Sequence, residues 1–307
     1  MTPYLISILT LVCLAAIPAL ALNLQWGLAG LVNFGLFGFY MLGAYVAALL
    51  TQAGWNPWAA LAAAVAASAV LSALVSLVSI RLADDYLAIV TLGFAESLKL
   101  VAIHEDRWTR GSLGISGIAR PVEGDGAFLA VAVAALAVVF ILAQILTRSP
   151  VGRTARALRD DPVVTATAGK NVLGFRIRLF AAGGAAIGLA GGLHAYYYQY
   201  IDPTQFGAII TAYAFMAVII GGRGSHVGVL ASAFTVVLLL EGTRYLDAYT
   251  TWLTSAQLAA LRLMLIGAAL IAVLIFRPQG MRQPYRLQRG PRTVSYTHLR
   301  AHETPEH

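Results

Sequence analysis

The sequence predicts an all-α polytopic membrane protein with about 8–10 transmembrane helices. Three observations carry that expectation. Hydrophobic residues make up 59% of the 307-residue chain and charged residues only 11%, whereas a soluble domain carries about 25% charged residues. Apolar runs of bilayer-spanning length, about twenty residues, recur along the chain. The basic residues gather between those runs, most densely in Arg148–Arg178, which holds Arg148, Arg153, Arg156, Arg159, Lys170, Arg176 and Arg178 against Asp160 and Asp161. The net charge of +7 therefore reflects topology, with basic loops on the cytoplasmic side of membrane lipid, and no nucleic-acid partner is expected. The single cysteine, Cys13, lies in an apolar run, so neither a disulfide framework nor a cysteine metal cluster is available.

Taken in order, the first run is Tyr4–Leu22, with Pro18 near its end and no basic leader of the signal-peptide kind. Leu28–Leu50 follows the polar, glycine-containing NLQWG stretch, and Pro57–Ile80 is rich in alanine and serine. Tyr86–Ile103 and Ala127–Thr147 precede the basic loop. Beyond it come Leu179–Tyr198, Gly207–Gly222, His226–Leu240 and Ala256–Phe276, which brings the count to about nine. The seventh and eighth are short enough for either to be re-entrant or broken. With Arg148–Arg178 inside, counting back puts the N-terminus outside and the Arg81–Asp85 turn inside. Counting forward brings the C-terminus, with Arg277, Arg282, Arg286 and Arg289, to the inside. The mixed-charge loop His104–Gly126 falls outside, the expected asymmetry.

Small residues mark the packing faces. The sixth run reads AAGGAAIGLAGGLHA, and its Gly184, Gly188 and Gly192 form two consecutive GxxxG pairs, a surface for close helix approach in lipid. Such a face serves static packing or lets helices rock, and spacing does not separate the two. Glu96 and Lys99 lie three residues apart on one face of the fourth run. Glu96 falls near mid-membrane, where a charge costs about 3 kcal/mol and faces the bundle interior. An internal Glu96–Lys99 pair accounts for both, with an ion or proton relay as the alternative. His104, His194 and His226 have no metal-ligand spacing and read as core or interfacial histidines. Tyr196, Tyr197, Tyr198 and Tyr200 read as an aromatic belt at the outer interface. Gly221–Ser225 reads as a tight inside turn. No GxSxG is present, and Ala168-Gly169-Lys170-Asn171 lacks the upstream glycine and the hydroxyl residue of a phosphate-binding loop. The chain is not expected to be an enzyme, and any ATP that drives it is bound by another subunit.

These stretches resemble LivM-type permease subunits of branched-chain amino-acid ABC importers. The resemblance runs from about Leu22 to Gly280 through LNLQWGLAGLVNFGLFGFYMLGAY, RLADDYLAIVTLGFAE, RGSLGISGI, SPVGRTARALRDDP, AGLAGGLHA, VIIGGRGSHVG and the closing RPQGM. It implies a multi-pass bacterial inner-membrane protein paired with a LivH-type sister permease. It also implies two ABC ATPase subunits beneath and a periplasmic substrate-binding protein outside, and no cofactor of the chain's own. The segment matching Gly152–Gly169 resembles the region that seats in the ATPase, which points to Arg153, Arg156, Arg159, Asp160, Asp161 and Gly169 as coupling residues. Asp161-Pro162 and Thr165 depart from the residues common there, which leaves the detailed contacts open. Pathway lining is expected from Asn33, Phe34 and Phe37 in the second run and Thr91 and Glu96 in the fourth.

The expected organisation is a transmembrane permease domain over 1–280, with its cytoplasmic coupling loop at 148–178, and a polar tail over 281–307. Within the tail, Ser295–His307 reads as translated adapter read-through rather than natural protein. Members of the family often carry an additional N-terminal span not seen here. The expected function is ATP-driven import of branched-chain or related hydrophobic amino acids by alternating access. Urea or short amides are alternative substrates on the same scaffold, and an ion-coupled secondary transporter using Glu96 is the alternative mechanism.

Overall fold

The computed structural model describes residues 2–78, 84–247, 255–277 and 280–281. Arg81, Arg282, Arg286, Arg289, Pro278 and Gln279 of the closing motif, and the tail Ser295–His307 all lie outside the described residues. Among the described residues the chain forms eleven α-helices and one two-stranded sheet. The helices are α1 (Thr2–Leu22), α2 (Leu36–Gln52), α3 (Pro57–Val78), α4 (Asp84–His104), α5 (Asp125–Arg148), α6 (Pro150–Asp160), α7 (Pro162–Thr167), α8 (Val172–Tyr198), α9 (Ala208–Gly221), α10 (His226–Asp247) and α11 (Ser255–Phe276). Six helical segments are long and apolar enough to cross a membrane: Pro3–Leu28, Pro57–Val78, Tyr86–His104, Asp125–Arg148, Val172–Tyr198 and Pro203–Gly221. Leu36–Gln52, His226–Gly242 and Gly267–Phe276 are shorter apolar helices. The protein is an all-α polytopic membrane protein.

The broken element is not the seventh or eighth run, since α9 and α10 are continuous. It is the second. Asn23–Leu28 continues α1 as a π-helical turn that Ala29 caps, the backbone leaves helical geometry at Gly30, and α2 begins only at Leu36. Gly30, at φ +77°, supplies a backbone angle that a side chain disfavours.

Three neighbouring helices explain the small residues. α8 lies along α3 and α2, and the glycines of its GxxxG stripe meet Ser72 at Gly184, Ser68 at Gly188 and Leu61 at Gly192. On its other side Gly191 faces the Tyr40 carbonyl of α2, and Gly43 of α2 faces the Gly188 backbone. The alanines and serines of α3 are the partners of that stripe, which therefore serves close static packing in this conformation.

At one end of the bundle, β1 (Ile115–Ser116) pairs antiparallel with β2 (Tyr200–Ile201). There Arg120 closes α8: its Nε donates to the Tyr196 carbonyl at 3.0 Å and its Nη2 to the Tyr197 carbonyl at 2.7 Å. Its Nη1 meets Asp125 at 2.8 Å. Tyr196 departs from the expected belt: its ring is fully buried and its hydroxyl reaches the Pro57 carbonyl and Thr51. Arg120→Ala removes two charge-assisted bonds to helix-end carbonyls, each worth about 1.5–3 kcal/mol. Asp125→Ala removes only an exposed ion pair worth about 0–1 kcal/mol. Thermal unfolding in detergent is expected to show a clear fall for Arg120→Ala and almost none for Asp125→Ala.

The opposite end carries α6, α7 and the first turns of α8, all capped by polar residues. Ser149 accepts from Gly152 N–H ahead of Pro150, Asp161 accepts from Val163 and Val164 N–H around Pro162, and Asn171 accepts from Gly174 N–H. Proline suits a first helical position because that N–H has no helical partner anyway. The long basic loop is thus two short helices and a helix start, and this end is called the basic end below.

Candidate translocation and coupling site

Backbone outside a helix needs hydrogen-bond partners when buried at membrane depth. In the Ala29–Gly35 break Gly30 and Leu31 N–H donate to the Trp26 and Gln25 carbonyls, and threonines on two neighbouring helices take N–H groups at its far end and in the first turn of α2. Phe34 N–H donates to Thr91 Oγ1 of α4 at 3.1 Å, and the Thr91 hydroxyl itself donates to the Ala88 carbonyl. Phe37 N–H, in the first turn of α2, donates to Thr211 Oγ1 of α9 at 3.2 Å. Asn33 is fully buried: its Nδ2 donates to Gln25 Oε1 at 2.9 Å, while its Oδ1 has no partner. Gln25 in turn donates to the Phe180 carbonyl of α8. A recess of about 240 Å³ opens beside the break, lined by Phe34, Leu92, Ala208, Thr211, Ala212 and Phe215.

The π-helical turn is held by a second set of polar contacts in which one fixed donor orients the rest. Gly224 N–H, in the α9–α10 turn, donates to Asn23 Oδ1 at 2.7 Å. That turns Asn23 Nδ2 toward His226 Nδ1 at 3.0 Å, so Nδ1 must accept and the ring carries its proton on Nε2. His226 Nε2 then donates to Thr147 Oγ1 at 2.7 Å, and Thr147 donates onward to the Ala143 carbonyl. Each donor in the set meets an acceptor. Arg223 lies over the Trp26 ring at 4.2 Å. Burial, and then the nearby Arg159 charge, lower the Arg223 pKa from its usual range.

The arginines of α6 do not share one fate. Arg153 is exposed. Arg156 turns back to donate to the Thr147 carbonyl at 3.1 Å. Arg159 donates to the Gly27 carbonyl at 2.8 Å and pairs with Asp160 at 3.1 Å. The outward surface here is mixed: Arg153, Asp160, Asp161 and Lys170 are exposed, and so are Val163 and Val164 in the first turn of α7, at 71% and 62%. Asp161 is occupied as the α7 cap, and Gly169 forms the turn into α8 at φ +73°.

The break thus brings Asn33, Phe34, Phe37 and Thr91 together. Asn33, Phe37 and Thr91 are fully buried and none of them lines the recess in this conformation, whereas Phe34 lines it and is 40% exposed. Glu96 lies farther along α4, half-buried. The expected Glu96–Lys99 pair does not form: no ion pair or hydrogen bond joins the two side chains. Lys99 instead extends its ammonium toward Gly207 at the start of α9. Gln25, Thr211, Asn23 and His226 were not expected at the site. For Asn23, Gln25 and His226 the available signal was their position in two motifs far apart in sequence, NLQWG and GGRGSHVG, whereas Thr211 lies in neither. Among the described residues no group of acidic, histidine and cysteine side chains gathers as a metal site.

The unwound start of the second span, held by threonine hydroxyls, lies beside a recess, and the π-helical turn before it is bonded to the short helices at the basic end. The family model for the branched-chain amino acid transport system permease component matches residues 4–274, and the chain belongs to that family. It is 31% identical to the high-affinity branched-chain amino acid transport system permease protein LivM of Escherichia coli, across 90% of this chain and 69% of that protein. The Salmonella typhimurium protein of the same name gives the same figures. A probable branched-chain amino acid transport permease protein LivM of Methanocaldococcus jannaschii is 28% identical across 67% of this chain and 62% of its own length. No solved structure matches the chain.

Proposed function

We propose that the chain is the transmembrane permease subunit of an ATP-driven importer for branched-chain or related hydrophobic amino acids, working by alternating access. The observation that carries this reading beyond family membership is the break at Ala29–Gly35. It sets the N-terminus of α2, the positive end of a helix dipole, within three residues of the unpaired Asn33 Oδ1 acceptor. A half-helix start favours a carboxylate and a carbonyl oxygen favours an ammonium, so the two match the polarity of a zwitterion. The apolar recess beside Phe34 and Phe215 suits an aliphatic side chain. Asn33, Phe34, Phe37, Thr91 and Glu96 remain the proposed pathway residues, with Thr211 added.

The basic end faces the cytoplasm in this reading, in a bacterial inner membrane, and the N-terminus lies outside. The chain pairs with a sister permease and receives substrate from an external binding protein. It takes its power from two ATPase subunits that bind the ATP. Those subunits dock on the segment containing Arg153, Arg156, Arg159, Asp160, Asp161 and Gly169. The Val163–Val164 tip makes the apolar contact there and Arg153 the outward charge.

The test is reconstitution of the complex in proteoliposomes. ATP is expected to drive accumulation of leucine, isoleucine and valine, and vesicles without the ATPase subunits are expected to accumulate none. Accumulation without ATPase that collapses with the proton gradient and with Glu96→Gln would replace this reading with an ion-coupled transporter.

A further inference from the structure

We infer that Arg159 is a positioning residue that ties α6 to the interrupted helix inside the permease, rather than a grip on the ATPase. This rests on the proposed docking of the ATPase at α6–α7. The guanidinium of Arg159 donates to the carbonyl of Gly27, in the π-helical turn, at 2.8 Å. The contact is more than one bond, because α6 itself lies against the start of the break. A Cβ added at Gly30 would be 3.0 Å from Arg159 Cγ and 3.5 Å from its Cα. The positive φ of Gly30 favours glycine, and a side chain there would also press on Arg159.

From that contact the packing runs without a gap to the recess. Trp26, next to Gly27, packs on Phe215 with ring centroids 5.0 Å apart, and Phe215 packs edge-on against Phe34 at 4.9 Å. The same turn is fixed at its other end by the Asn23–His226–Thr147 set, and Thr147 also receives Arg156 through its carbonyl. Both inward arginines of α6 therefore end on the two groups that hold the π-helical turn, Gly27 directly and Thr147 one step away. A displacement of α6 relative to α1 cannot occur with these bonds intact unless the turn moves as well. A π-helical turn is a suitable place for such a change, since its bonds are already rearranged from the α-helical pattern. The tip of α7 contacts the ATPase, the arginines pull on the turn, and the Ala29–Gly35 segment with Phe34 is what moves.

Spatial continuity becomes coupling only when a perturbation at one end changes the other. The test uses the whole complex in proteoliposomes, with leucine uptake and ATP hydrolysis measured in the same vesicles and ATPase retention measured by co-purification. Arg159→Ala is expected to keep the ATPase subunits bound while leucine imported per ATP falls about tenfold, equivalent to about 1.4 kcal/mol of lost coupling. Arg159→Lys, which keeps one donor, is expected to recover part of that loss. His226→Leu is expected to lower the ratio at least fivefold, and His226→Gln, which keeps a donor and an acceptor, to recover it. A purely structural role would lower folded yield and leave the ratio unchanged. An unchanged ratio in Arg159→Ala would overturn the proposal. So would loss of the ATPase from Arg159→Ala combined with a normal ratio in His226→Leu, because Arg159 would then be gripping the partner. Wild-type vesicles that import no leucine on ATP addition would instead sink the underlying assignment of function.

Discussion

Gly191→Leu is expected to abolish a stably folded permease. A Cβ at that position falls on the Tyr40 carbonyl oxygen, 2.8 Å from its carbon and 3.1 Å from Ala44 N, all backbone atoms of α2. A flexible side chain could turn aside, but backbone of a packed helix cannot without separating α8 from α2. Inserting extra methylenes into a packed core costs about 1–3 kcal/mol, and overlap with backbone lies at or beyond the top of that range. Gly93→Leu is the matched control, since no atom lies within 4 Å of a Cβ there. Size-exclusion profiles and unfolding in detergent are expected to show aggregation or a melting point lower by roughly 5 °C or more for Gly191→Leu. Gly93→Leu is expected to stay near the wild type. A wild-type profile for Gly191→Leu would mean that α2 and α8 do not meet as described.

The double substitution Thr91→Val/Thr211→Val is expected to reduce uptake about tenfold while leaving folded protein recoverable. Valine matches threonine in shape but supplies no acceptor, so Phe34 and Phe37 N–H would each lose their partner at the break. A buried N–H without an acceptor costs about 1–3 kcal/mol, and that cost falls on the arrangement of the break rather than on the bundle. Thr91→Ser/Thr211→Ser keeps both hydroxyls and is expected to transport nearly as the wild type does. Normal uptake by the double valine variant would show that the threonine caps do not set the geometry of the pathway.

The bundle was legible because its signals are additive: long apolar runs and basic loops at one side. The break was hidden because LAGLVNFGLFGF is apolar throughout and reads as the start of one span. Only Asn33 and the glycines interrupt it, and glycines are equally at home in a packed membrane helix. Three-residue spacing placed Arg153, Arg156 and Arg159 on one face of α6. It carries no information on whether that face meets a partner or the chain's own helices, and two of the three arginines turn inward. The same limit applies to Glu96 and Lys99, which share a helix face yet do not pair. His226 and Asn23 are 203 residues apart in the chain, so their contact required the fold.

Uptake by the reconstituted complex of this chain, its sister permease and two ATPase subunits decides the function, with radiolabelled leucine, valine, urea and acetamide compared side by side. ATP-dependent accumulation of leucine and valine is expected, lost in Asn33→Leu, with little urea or acetamide imported. Accumulation of urea or acetamide in place of the amino acids, or leucine uptake indifferent to ATP, would contradict it.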